Sequence, residues 1–156
     1  MKVTFTKIHA KGYSVSAEAD GVIVTTFNPA PGYHPRLPHD VAHFIVEKEL
    51  QILGGVFGQI AARGAAKSPR KAKRLKAEIA AANKKDALFS EHAIYAAQSR
   101  WEKHDIIPDT KIPAETIQRI IAKFEDFATK WSVLPVGESV TLEWLNSPKA
   151  AHRRTR

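Results

Sequence analysis

The order in which hydrophobic patterns succeed one another predicts an α+β fold. Apolar and polar residues alternate along residues 2–27, stripes of period 3.6 dominate the middle of the chain, and alternation returns at residues 139–145. Strands, then helices, then one strand describe an antiparallel sheet of about four strands, three N-terminal and one C-terminal, packed against four or five helices. The chain is not expected to be an alternating α/β protein.

Val3 and Phe5 alternate with polar neighbours, a Lys11-Gly12 turn follows, and Tyr13, Val15 and Ala17 alternate again. Two strands fit these residues. Asp20-Gly21 then separates two such runs, and both central residues of the favoured two-residue hairpin turn need positive φ, which Asp and Gly supply. Residues 22–27 complete a three-stranded meander. In NPAPGYHPRLP four prolines and a glycine exclude regular structure and predict an ordered loop.

Pro38 suits the first position of a helix, and Asp40 complements the positive end of its dipole. That helix is expected over residues 38–53, with Val41, Phe44, Ile45 and Ile52 facing inward. Gly54, Gly55 and Gly58 each cost about 1 kcal/mol against Ala inside a helix, so a break or a close helix crossing is expected there. Ser68-Pro69 opens a second helix, in which Ala72, Leu75, Ile79 and Ala82 form a narrow apolar stripe. Ser90-Glu91 opens a third, ending near His104, with Ile94, Ala97 and Trp101 inward. The strongest stripe belongs to Ile117, Ile120, Ile121, Phe124, Ala128 and Trp131, and Pro135 ends it. One domain over residues 1–148 and a basic tail over 149–156 are expected.

The 156 residues include no cysteine, which excludes disulfides, thiolate zinc sites, iron-sulfur clusters on the usual thiolates and a cysteine nucleophile. Metal chemistry would have to use His and carboxylates. The N-terminal MKVTFTKIHAKG lacks the apolar run of about 7 residues that a signal peptide needs, and no window approaches the ~18 apolar residues of a transmembrane segment. A cytoplasmic, soluble protein is the expectation.

The formal charge of +8 is unevenly placed. Residues 1–62 carry five basic and five acidic groups, whereas residues 63–85 carry nine basic groups against Glu78 alone. Arg70, Lys73, Arg74, Lys84 and Lys85 are the nucleic-acid candidates of that segment. It holds no aromatic residue for base stacking, so binding of nucleic acid, or of an acidic protein, would be electrostatic.

The sharpest constellation is PHDVAHFIVEKE, where His39, His43 and Glu47 recur every four residues and therefore share one helix face. Two imidazoles one turn apart can ligate one divalent ion. His39, His43 and Glu47 are the primary metal candidates, with His34, Glu91 and His92 as further ligands and zinc, manganese, iron or nickel as candidate ions. HDVAH resembles the HExxH motif of zinc proteases, but Asp40 replaces the glutamate base with a shorter side chain. No catalytic motif is secured. Asp40 is the candidate catalytic residue, expected to orient an imidazole or polarise water, and it is equally explained as a helix-dipole carboxylate. GGVFGQIAARG lacks the Lys-Ser/Thr pair and the preceding strand of phosphate-binding loops, so packing is its expected role.

PHDVAHFIVEKEL, GGVFG and WSVLPVGESVTLEW together resemble an uncharacterised family of small bacterial proteins in which a PHDxxHFxVE helix and an LPVGxSxTLEW ending recur. The resemblance covers about a third of the chain, and it implies no established activity. It leaves residues 63–85 between the matching stretches, where a variable insertion would fall. The leading functional expectation is a binding or interaction protein of unassigned role. The alternatives are a metal-assisted hydrolase built on the histidine helix and an electrostatic nucleic-acid binder built on residues 63–85.

Overall fold

A computed structural model describes residues 1–64, 78 and 83–144 of the chain. Strands β1 (Lys2–His9), β2 (Gly12–Ala19), β3 (Val22–Phe27) and β4 (Ser139–Glu143) form one antiparallel sheet in the order β3-β2-β1-β4. Helices α1 (His39–Glu49), α2 (Val56–Gly64), α3 (Lys84–Trp101) and α4 (Ala114–Val133) accompany it. The fold is α+β, with the C-terminal strand inserted beside the first. No helix among the described residues is long and apolar enough to cross a membrane.

Local chemistry accounts for these elements. Asp20 and Gly21 take φ of 51° and 78°, the turn their identities favour between β2 and β3. Val3, Phe5, Val15 and Ala17 are fully buried on the inner face of the sheet, where Phe5 meets Phe44, Phe57 and Phe127. The opposite face is hydroxylic: Thr4 bonds Thr141 at 2.9 Å and Thr6 bonds Ser139 at 2.7 Å across the β1–β4 pair. Lys7, on β1, donates from Nζ to the carbonyls of Trp131 and Leu134, which satisfies the C-terminal end of α4. The α4 stripe is buried as its spacing predicts, from Ile117 through Trp131, although Ile121 is only half-buried.

Three helix boundaries differ from expectation. Pro38 caps α1 rather than beginning it, and α1 stops at Glu49 because Gln51 turns to φ 53°, so Ile52 bonds back to the Glu47 carbonyl from outside the helix. The glycine stretch is therefore a corner, after which α2 starts as a separate helix. α3 begins at Lys84, six residues before the expected Ser90, which places Lys84 and Lys85, both exposed, in its first turn. At its other end Lys103 takes φ 57° and closes the helix before His104. The stripe of the expected basic helix, Arg70, Lys73, Arg74 and residues 145–156 lie outside the described residues.

Glu49 at the end of α1 pairs with Lys123 and Arg119 of α4. The Lys123 hydrogen bond, followed by its charge and Arg119, outweighs burial and holds the Glu49 carboxyl below its usual 4.5. A carboxylate with a depressed folded pKa contributes stability above its unfolded pKa and loses it as pH falls through the folded value. Glu49→Gln is therefore expected to lower the urea midpoint at pH 7, by no more than about 1 kcal/mol for this half-exposed pair. The difference from wild type should vanish once the pH is well below 4.5, as urea titrations across the acid range would show.

Candidate metal centre

The buried polar residues among those described are His43, Glu47, Ser90 and Ser99, and the first three converge on one point between α1, the start of α2 and α3. Glu47 is fully buried and accepts from four donors. His43 Nδ1 lies 3.1 Å and Ser90 Oγ 3.0 Å from Oε1; the Val56 and Phe57 amides each lie 2.9 Å from a carboxylate oxygen. Those two amides belong to the first turn of α2, whose unsatisfied N–H groups and positive dipole end favour an anion. The anion held by the glycine corner is thus the protein's own carboxylate, and no phosphate role is needed to explain GGVFG.

Gly55 explains the spacing. A Cβ there would lie 2.2 Å from Glu47 Cδ and 2.3 Å from Oε1, so any side chain displaces the carboxylate from its donors. Gly55→Ala is expected to cost about 1–3 kcal/mol through overpacking alone, measured as a fall in urea midpoint at unchanged m-value.

On the opposite side of the His43 ring, Nε2 lies 3.1 Å from His39 Nε2 and 3.1 Å from Glu91 Oε1, while His39 Nε2 lies 3.9 Å from Glu91 Oε2. His43 is the shielded member, with a side chain 6% exposed against 45% for His39 and 58% for Glu91. Burial opposes charge on its imidazole, yet the Glu47 hydrogen bond and charge, reinforced by Glu91 and Asp40, outweigh it and raise the His43 pKa above the ordinary histidine value. The ring geometry gives the same result. With Nδ1–H directed at Glu47, the Nε2 lone pair faces the Glu91 carboxylate and His39 Nε2, an arrangement that a proton or a metal ion between them satisfies.

The donor set fits a metal. Ligand atoms of a tetrahedral zinc with Zn–N of 2.0–2.1 Å stand about 3.3 Å apart; the 3.1 Å from His43 Nε2 to His39 Nε2 and to Glu91 Oε1 lie close to that edge, while the 3.9 Å from His39 Nε2 runs to the other Glu91 oxygen, Oε2. His39, His43 and Glu91 form a group able to hold an ion among the described residues. Glu47 behind His43 supplies the carboxylate that typically fixes a ligating imidazole.

The remaining sequence candidates have other partners. Glu47, expected as a ligand, is committed inward on both oxygens and acts through His43. Asp40, expected to orient an imidazole or polarise water, accepts instead from the Tyr13 phenol at 2.7 Å, which also lies 2.5 Å from the Pro31 carbonyl. Burial, then the Asp40 bond and charge, push the Tyr13 pKa far above its usual value and keep it an O–H donor. His34 accepts the Arg36 and Leu37 amides at Nδ1 and faces Glu102 with Nε2, and His92 bonds the Asp109 carbonyl. Neither joins the cluster. Ser90 was legible only as a helix start; its buried hydroxyl beside Glu47 is a tertiary feature.

A groove of about 220 Å³ between α1, α4 and β4 is lined by Phe44, Lys48, Lys123, Phe127 and Leu142 and by none of the cluster residues. The cluster instead opens to the surface through the exposed His39 and Glu91 side chains. Comparison of the chain with family models, with curated proteins and with solved structures returns no match.

Proposed function

We propose that this protein binds a divalent transition-metal ion through His39, His43 and Glu91, with Glu47 as the buried carboxylate that orients His43. The observation that carries the reading is the environment of His43 Nε2, 3.1 Å from both an imidazole nitrogen and a carboxylate oxygen while Nδ1 is held from behind. Two nitrogens and an oxygen suit zinc, and also manganese, iron or nickel. Exposure of His39 and Glu91 leaves the outward side of the ion to water. A hydrolase reading is less well supported, because Asp40 is bonded to Tyr13.

Untagged protein dialysed against micromolar zinc, then against metal-free buffer, is expected to retain one ion per chain by elemental analysis. His39→Ala and Glu91→Ala remove exposed ligands and leave the Glu47 network intact, so both should fold and lose the ion. Stoichiometric zinc in both variants, or none in the wild type, would falsify the assignment.

A further inference from the structure

The groove between α1, α4 and β4 has an apolar interior and a cationic rim. Phe44, Phe127, Val140 and Leu142 supply the interior, and Lys48, Lys123 and Lys130 the rim. Its volume of about 220 Å³ exceeds that of an apolar cavity of roughly 150 Å³ that takes up benzene. One ring or a short alkyl chain therefore fits.

The three ammonium groups are not equally committed. Lys123 is held by Glu49. Lys130 pairs with Asp126 at 2.9 Å across one exposed turn of α4, a contact of small worth. Lys48 has no carboxylate partner among the described residues: its Nζ donates to the Glu143 carbonyl at 2.7 Å and lies 5.9 Å from the centroid of the Phe44 ring. The Glu143 carboxylate does not neutralise it either. Strand alternation sends the exposed Glu143 side chain to the face of Thr141, away from Val140 and Leu142. An ammonium has three donors, so Lys48 brings a positive charge and unspent N–H groups to the edge of an apolar hollow.

We propose that this groove binds a small carboxylic acid with an apolar body, its carboxylate on Lys48 and its body against Phe44 and Phe127. The anion meets the one rim cation that lacks a carboxylate partner, and the body covers the apolar lining, which a small polyanion such as phosphate would leave wet. The C-terminal end of the chain has the wrong sign for the rim, since residues 149–156 carry four basic groups and no acidic one.

The test is titration of isotope-labelled full chain with phenylacetate and with octanoate, which present the same carboxylate on a ring and on a chain, followed by amide NMR. Chelator is present throughout, so that no ion at the His39 cluster can take the carboxylate. At least one acid is expected to move the Lys48, Phe127 and Leu142 amides with a dissociation constant of about 1 mM or below, the scale for ligands of this size, and the tighter of the two identifies the apolar body. The matching amine, phenethylamine or octylamine, should bind at least tenfold more weakly. Lys48→Met keeps an apolar stem over Phe44 and removes the charge, so it should weaken the acid about tenfold while the rest of the spectrum stays in place. No movement of those amides by either acid at about 10 mM, equal affinity for acid and amine, or an unchanged acid affinity in Lys48→Met would each overturn the proposal.

Discussion

Glu47→Leu is expected to destabilise the protein by about 3–5 kcal/mol, the range for removing one partner of a buried charged pair. Leucine fills much of the volume but accepts no hydrogen bond. The Val56 and Phe57 amides, the Ser90 hydroxyl and His43 Nδ1 all lose their acceptor at a point that water does not reach. These groups lie on three separate helices, so the loss weakens the corner between α1 and α2 and the docking of α3 together. Glu47→Gln should cost less, since its amide oxygen still accepts, and should therefore fold. Urea unfolding at constant m-value measures both variants. A loss below about 1 kcal/mol for Glu47→Leu would mean that the buried carboxylate is not the organising centre described above.

Zinc is expected to raise the thermal midpoint. An ion bound only by the folded state stabilises it by about 2.7 kcal/mol at a free concentration one hundred times its dissociation constant, which for a chain of this size is about 5–10 °C. The proposed ligands lie on α1 and α3, so the gain would represent a tie between two helices that are otherwise joined by packing and the Glu47 network. His39→Ala and Glu91→Ala should abolish the zinc-dependent shift while melting close to the wild-type apo protein. Glu47→Gln should retain the shift with an affinity lowered about 10–100-fold, the usual cost of disturbing the group behind a ligating histidine. Equal shifts in wild type and His39→Ala would show that zinc acts elsewhere.

Much of the architecture is legible from local patterns because local forces decide it. The Asp20-Gly21 turn requires two positive φ values and obtains them, and the stripe from Ile117 to Trp131 can bury itself in only one orientation. The return of alternation at Val140 and Leu142 places a strand, and its pairing with β1 follows. Boundaries at Leu50 and Lys84 were less legible. Backbone turns at Gln51 and the contact of Asp86 with the Gly54 amide set their surroundings, and helical periodicity does not encode either.

The candidate site was half legible. Spacing by four places His39, His43 and Glu47 on one face, but it cannot show that His43 has neighbours on both sides of its ring, outward toward His39 and inward toward Glu47. It also cannot show that the inward end meets the N-terminus of α2, which engages both Glu47 oxygens behind the imidazole. Glu91 stood among several third-ligand candidates with equal claims, since only tertiary packing brings α3 against α1 and turns His34 and His92 elsewhere. Asp40 drew attention through its place in HDVAH, and Tyr13, distant in sequence, decides what it does.

X-ray absorption at the zinc edge of untagged, zinc-loaded protein tests the central claim most directly. A shell of nitrogen and oxygen at about 2.0–2.2 Å is expected, with the outer scattering of two imidazoles, one of which disappears in His39→Ala if that variant is forced to bind at high zinc. An all-oxygen shell, or an imidazole count unchanged by His39→Ala, would contradict it.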